Sequence, residues 1–152
     1  MITEEQITKT AGRLADLTFN LLANCQEKEN RLAIQYGLTQ AEFRCLRLFN
    51  AEETLNNKHI AERMNLSPSR LTRIIDGLVN KGYMSREIEP HDRRNMRVAL
   101  SEKGVEIVKR LNDAYLGIHK EILSEIEEEQ HSPLISAMTQ LLSALEKWIA
   151  RT

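Results

Sequence analysis

The stretch NNKHIAERMNLSPSRLTRIIDGLVNKG, residues 56–82, decides the fold. Asn56 has the side chain of a helix N-cap, and Ile60, Ala61 and Met64 follow at helical spacing. Asn65-Leu66 interrupts that pattern. Ser67 is a second N-cap, Pro68 fits the first helical position, and Leu66 can staple onto Leu71. Leu71, Ile74, Ile75, Leu78 and Val79 then form one apolar side, closed by Gly82. Two short helices across a tight turn, each apolar on one side, predict a helix-turn-helix.

Beyond Gly82 the period changes from helical to two. Met84 and Ile88 alternate with Ser85 and Glu87, Arg86 sharing their side, while Met96, Val98 and Leu100 alternate with Asn95, Arg97 and Ala99. Two strands around a polar tip, Glu89–Arg94, predict a hairpin directly after the helix-turn-helix, in the position of a wing.

Upstream, Thr3 and Gln6 have capping-box spacing, and apolar positions recur at Ile7, Ala11, Leu14, Leu22 and Cys25. This long helix is expected to end at Gly37. Thr39 and Glu42 predict a second capped helix running through Cys45, Leu46 and Phe49, and Thr54-Leu55 suits a short strand. Downstream, Ser101 should cap a helix buried through Val105, Val108, Leu111, Tyr115, Ile118, Ile122 and Ile126, ending in Glu127–Glu129. Ser132-Pro133 should start a last helix with Ile135, Met138, Leu142, Leu145, Trp148 and Ile149 on one side. The expected architecture is mostly α with a small β-hairpin wing. A winged helix-turn-helix lobe spans 38–100, and 3–36 with 101–150 supply N- and C-terminal dimerisation helices.

The formal charge of the 152 residues is only −1. Its distribution is uneven. Residues 56–97 hold nine basic and five acidic side chains, and the rest of the chain is acidic on balance. A basic middle between acidic flanks points to a polyanion partner for that segment alone.

On the helix from Ser67, the side opposite Leu71 and Leu78 carries Ser69, Arg73, Asp76 and Asn80, with Arg70 and Thr72 on its flanks. Hydroxyls and guanidinium groups on a first turn reach base edges and phosphates when a helix enters a major groove by its N-terminus. Arg93, Arg94 and Arg97 at the hairpin suit a narrow minor groove, where the potential is most negative. Asp92 would repel phosphate, so its expected role is to orient a neighbouring arginine. Asn57 and Lys58 open the first short helix and are placed to meet phosphate. Each feature alone fits an ordinary solvated surface; together they read as a two-pronged grip on DNA.

The run from Leu38 to Gly104 resembles the MarR family of winged-helix transcriptional regulators. The resemblance lies in GLTQAEFRCL, SPSRLTRIIDGLVNKGYMSRE and PHDRRNMRVALSEKG. The last of these places Pro90, Asp92, Arg94, Val98, Leu100, Ser101 and Gly104 at the family's wing spacing. It implies that Ser67–Lys81 is the recognition helix and Glu89–Arg94 the wing tip. It also implies a homodimer on a pseudo-palindromic operator, repression, and regulation by a small ligand or an oxidant. Ligands of the family bind between the DNA-binding lobe and the dimer helices, a place that Cys25, Tyr36 and Phe43 could line. Ile7, Leu14, Tyr115, Leu142, Leu145 and Trp148 are the expected dimer contacts, because a lobe of this size cannot cover three further apolar stripes. A bundle of the three helices within one chain is the alternative.

Other chemistries find less in the sequence. Cys25 and Cys45 occupy apolar helical positions and suggest core packing, with a cysteine-based redox sensor as the alternative. Zinc-binding relatives use a glutamate–histidine pair on the second helix and several histidines on the fifth. AEFRC and a lone His119 depart from that, so neither metal nor cofactor is expected. No phosphate-binding glycine loop and no GxSxG marks an enzyme. The polar N-terminus and the lack of any long apolar run predict a soluble, cytoplasmic protein. A winged helix that docks an acidic protein is the remaining rival to DNA binding.

Overall fold

The computed structural model describes residues 1–49, 54–88 and 96–151. Among these, the order is α1 (Glu4–Gln35), α2 (Gln40–Arg47), β1 (Thr54–Asn56), α3 (Asn57–Met64), α4 (Pro68–Asn80), β2 (Met84–Ile88), β3 (Met96–Leu100), α5 (Glu102–Ser124) and α6 (His131–Arg151). The wing tip with Asp92, Arg93 and Arg94 lies outside the described residues. The chain divides into two compact units, Met1–Asn112 and Asp113–Thr152.

In the first unit, local sequence sets the helix starts. Thr3 with Gln6 and Thr39 with Glu42 both form complete capping boxes. Asn56 Oδ1 accepts the Lys58 N–H at 2.8 Å, and Ser67 Oγ accepts the Arg70 N–H at 3.3 Å. Asn65, at φ 54°, makes the left-handed turn between α3 and α4, a conformation asparagine tolerates better than most residues. The C-caps of α1, α2 and α4 are Tyr36, Leu48 and Lys81, and Gly37, at φ 70°, turns the chain out of α1.

The strands form one antiparallel sheet in the order β1-β3-β2. Thr54–Asn56 pairs with β3 from Ala99 to Arg97, so the short strand read at Thr54-Leu55 closes the far edge of the hairpin. Met84 faces Leu100 and Ile88 faces Met96 across the other edge. Val98 and Met84 point into a core of Leu32, Phe43, Leu46, Phe49, Ile60, Leu71, Ile75, Leu78 and Leu111. Ile60 is fully buried, whereas Ala61 and Met64 beside it are half-buried.

Helix α5 departs from the expected stripe. Gly104, Ile107, Val108 and Leu111 are buried, and Val105 is exposed. The reason is the approach of its first turn to the residue just before β2: a Cβ at residue 104 would stand 2.0 Å from the Tyr83 carbonyl oxygen. Only glycine permits that contact, and it rotates Ile107 rather than Val105 into the core. Ser101 Oγ completes the junction by donating to Gly82 O at 2.6 Å and accepting the Gly104 N–H at 3.0 Å.

In the second unit, α5 ends at Ser124, short of Ile126, and a 3-10 turn at Glu128–Gln130 leads into α6. The last helix starts at His131, ahead of Ser132-Pro133. His131 Nε2 donates to Leu123 O and Ile126 O, at 3.0 and 2.9 Å, which closes the end of α5. Helix α6 has no buried residue.

Candidate nucleic-acid interface

Helix α4 presents its first turn to solvent because Ser67 and Pro68 fix where it begins. Ser69, Arg70, Thr72 and Arg73 are all exposed, as the helical spacing predicts. Ser67 Oγ lies 3.3 Å from Ser69 Oγ, and the Thr72 hydroxyl donates to Pro68 O at 2.8 Å. Both tethers hold the side chains against the helix and leave acceptor lone pairs for an incoming donor. Arg70 and Arg73 have no carboxylate partner among the described residues.

The outer face of α4 carries one acidic group, Asp76. Its Oδ1 is paired with Arg86 Nη2 of β2. This pair is invisible in the sequence pattern and removes the charge that would otherwise repel a phosphate next to Arg73.

The N-terminus of α3 sits beside α4. Lys58 is exposed; Asn57 is half-buried, and its Oδ1 has no hydrogen-bond partner among the described residues. Both line a groove of about 650 Å³ with Pro68, Thr72 and Met96. On β3, the exposed Arg97 stands in register with Asn56 of β1 and Glu87 of β2. Thus Asn57, Lys58, Ser67, Ser69, Arg70, Thr72, Arg73 and Arg97 all belong to the first compact unit.

The expected dimer residues are largely uncovered in the single chain. Ile7, Leu14, Leu142, Leu145 and Trp148 are exposed, and so are Leu17, Phe19 and Leu22 on α1 and Ile135, Met138 and Ile149 on α6. Tyr115 is half-buried and tilts against the His119 ring at 4.5 Å.

The cysteines differ from one another. Cys45 is buried, and desolvation, helped by the negative charge of Glu42, pushes its thiol up to about 12. Cys25 is only half-buried, against the expectation of core packing, and lies 3.9 Å from Lys28 Nζ. Phe43, a candidate ligand-pocket residue, is instead part of the core at 1% exposure. Tyr36 is half-buried beneath the Arg110 guanidinium. Among the described residues no three metal-ligating side chains come together, and no helix is long and apolar enough to cross a membrane.

Known proteins share this fold and part of this sequence. The family model described as MarR family matches residues 38–96. The HTH-type transcriptional regulator SarZ of Staphylococcus epidermidis is 33% identical over 97 residues, which is 64% of this chain and 66% of that protein. The match therefore spans just under two thirds of that relative's length. The MarR transcriptional regulator from Methanosarcina mazei Go1 superposes with a TM-score of 0.78 at 20% identity, over 90% of this chain and 98% of its own. A Staphylococcus aureus MepR–DNA complex superposes with a TM-score of 0.72 at 18% identity, over 87% and 97%. Those two structures establish likeness of fold. On the family model and the SarZ match together, the chain is similar to the MarR family over residues 38–96.

Proposed function

We propose that this chain is a transcriptional regulator, not an enzyme, that binds double-stranded DNA in a sequence-specific manner. The observation that carries the reading is the outer face of α4. Ser69, Arg70, Thr72 and Arg73 are exposed there, and the one carboxylate among them is neutralised by Arg86. Such a face reads base edges in a major groove. A relative named as a transcriptional regulator and a similar fold solved with DNA support it.

The lobe 38–100 carries the DNA contacts in this reading. Arg70 and Arg73 read bases, with Ser69 and Thr72 beside them. Ser67, Asn57 and Lys58 meet phosphate. Arg93 and Arg94, oriented by Asp92, enter the minor groove next to Arg97. Residues 3–36 and 101–150 form the dimerisation region. Ile7, Leu14, Tyr115, Leu142, Leu145 and Trp148 meet a second copy, because apolar helices left uncovered require a partner. A twofold dimer places two α4 helices about one DNA turn apart on a pseudo-palindromic operator. The chain represses from that site, in the compartment that holds the genome, and a small-molecule effector releases it.

Selection of bound fragments from the source genome, with ligand-free protein at physiological salt, tests this. Enrichment of one inverted repeat with half-sites about one turn apart is expected. A library recovered without any enrichment would sink the sequence-specific reading.

A further inference from the structure

Helix α4 has two flanks. On one, Asp76 pairs with Arg86 of β2, and Thr72 shares a groove with Met96 of β3. The other faces α2, where Gly77 lies against the Glu42 carboxylate. Arg70, two turns before Gly77, leaves the helix on this second flank. A cleft of about 500 Å³ opens there, and Gln40 and Arg44 of α2, Arg63 of α3 and Arg70 of α4 line it.

Three guanidinium groups around one small cleft repel one another unless negative charge sits among them. The chain supplies little. Glu29 accepts a hydrogen bond from Gln40 Nε2 at 2.9 Å and lies 3.6 Å from Arg44 Nε. Arg63 and Arg70 have no carboxylate partner among the described residues. The Glu29–Gln40–Arg44 contacts fix one wall, and the opposite wall keeps two uncompensated charges. Guanidinium forks match the oxygens of a phosphate and hold them with charge-assisted hydrogen bonds.

Building on the DNA-binding reading, we propose that this cleft is a phosphate site. Arg44 and Arg63 hold the backbone of the duplex strand that runs along the α2 side of α4, opposite the strands of the wing, and Arg70 at the rim of the cleft reaches on to the base edges. The dimensions require such a contact. A major groove about 12 Å wide is nearly filled by a helix of 10–12 Å diameter, so a phosphate backbone passes along each flank. Arg44 and Arg63 act as positioning residues: they fix the tilt and register of α4 and carry no sequence information themselves.

The test is the salt dependence of duplex binding by the full chain and by its Arg44→Gln, Arg63→Gln double variant, whose folding is checked by thermal melting. Each is measured on a preferred fragment and on a scrambled duplex. The slope of log affinity against log salt is expected to fall in magnitude by about two in the variant. Affinity for both duplexes falls by the same factor, so the preference between them is unchanged. An unaltered slope in a folded variant overturns the phosphate site and leaves the DNA-binding reading standing. Wild-type protein without salt-dependent binding to any duplex overturns both. In a parallel arm, inorganic phosphate is titrated into DNA-free protein at constant ionic strength while arginine Nε–Hε resonances are followed. Saturable shifts confined to Arg63 and Arg70, together with an unaltered slope in the variant, would give the cleft to a free oxyanion and overturn the backbone assignment.

Discussion

Lys81 Nζ donates a 2.6 Å hydrogen bond to Oε1 of the buried Glu42, which joins the start of α2 to the end of α4. The same oxygen accepts the Thr39 N–H at 2.8 Å, and the other carboxylate oxygen occupies the space a Cβ at residue 77 would need, 2.3 Å away. Glu42 therefore serves as half of a capping box, as an ion-pair partner and as a packing surface. Lys81 is partly exposed and can rehydrate, so the full penalty of breaking a buried pair does not apply. Glu42→Ala is expected to lower stability by about 2 kcal/mol, from the lost cap and hydrogen bonds. Gly77→Ala should cost about 1–3 kcal/mol by forcing the carboxylate aside. Urea unfolding of both variants and of the double variant checks this. The two losses should not add, because each removes the same contact.

Neutralisation of Asp76 by Arg86 makes a prediction about binding rather than stability. Arg86→Ala frees a carboxylate on the side of α4 proposed to face DNA and should weaken duplex binding several-fold. Adding Asp76→Asn should restore most of the loss. A single variant that binds like wild type would show that Asp76 does not face phosphate.

Base reading and backbone contact separate by substitution. Arg73→Ala should cost about 1–3 kcal/mol on the preferred site and relax the sequence preference, whereas Arg94→Ala should weaken all duplexes or mainly A/T-rich flanks. Competition between the preferred fragment and a scrambled duplex distinguishes the two outcomes. Unchanged affinity in both variants contradicts the assignment of α4 and the wing.

The apolar face of α6 predicts its own disruption. Leu142→Glu with Leu145→Glu places two charges in the proposed dimer contact. Sedimentation should then show monomers at concentrations where wild type is dimeric, and the melting temperature should lose its dependence on concentration. Wild type that sediments as a monomer at all concentrations contradicts the dimer.

Cys45 predicts a pH effect. Its folded pKa, about 12, lies above the ordinary value of 9.0 because burial opposes the thiolate. The folded chain thus holds the proton after the unfolded chain has released it. Stability from this thiol is complete below pH 9 and is lost as pH rises toward 12. Cys45→Ala should flatten the stability–pH curve over that interval relative to wild type. Thiol reagents near neutral pH should modify the half-buried Cys25 and spare Cys45.

What the sequence made legible is mostly local. Both capping boxes, the Ser67-Pro68 start of α4 and the strand limits Met84–Ile88 and Met96–Leu100 rest on neighbours a few residues apart, and all formed as read. Misses came where distant partners decide. Val105 fits a helical stripe as well as Ile107 does, and the Tyr83 carbonyl against Gly104 selects between them. The Asp76–Arg86 pair and the cleft of Arg44, Arg63 and Arg70 join residues from separate elements with no periodic signature. The apolar stripe of α5 continues past Ser124 to Ile126, whereas the helix itself stops at Ser124, where His131 caps it from outside. For the wing, Arg97 is exposed on β3, while Asp92, Arg93 and Arg94 fall outside the described residues.

The junction at Ser101 has a mechanical meaning. One hydroxyl grips the carbonyl of Gly82 and the amide of Gly104, the Ser101 N–H holds Tyr83 O, and no side chain at residue 104 cushions the approach. Such a joint has no slack. The end of α4 and the first turn of α5 are expected to turn together, so in the proposed function a torque applied to α5 would reach the helix assigned to DNA.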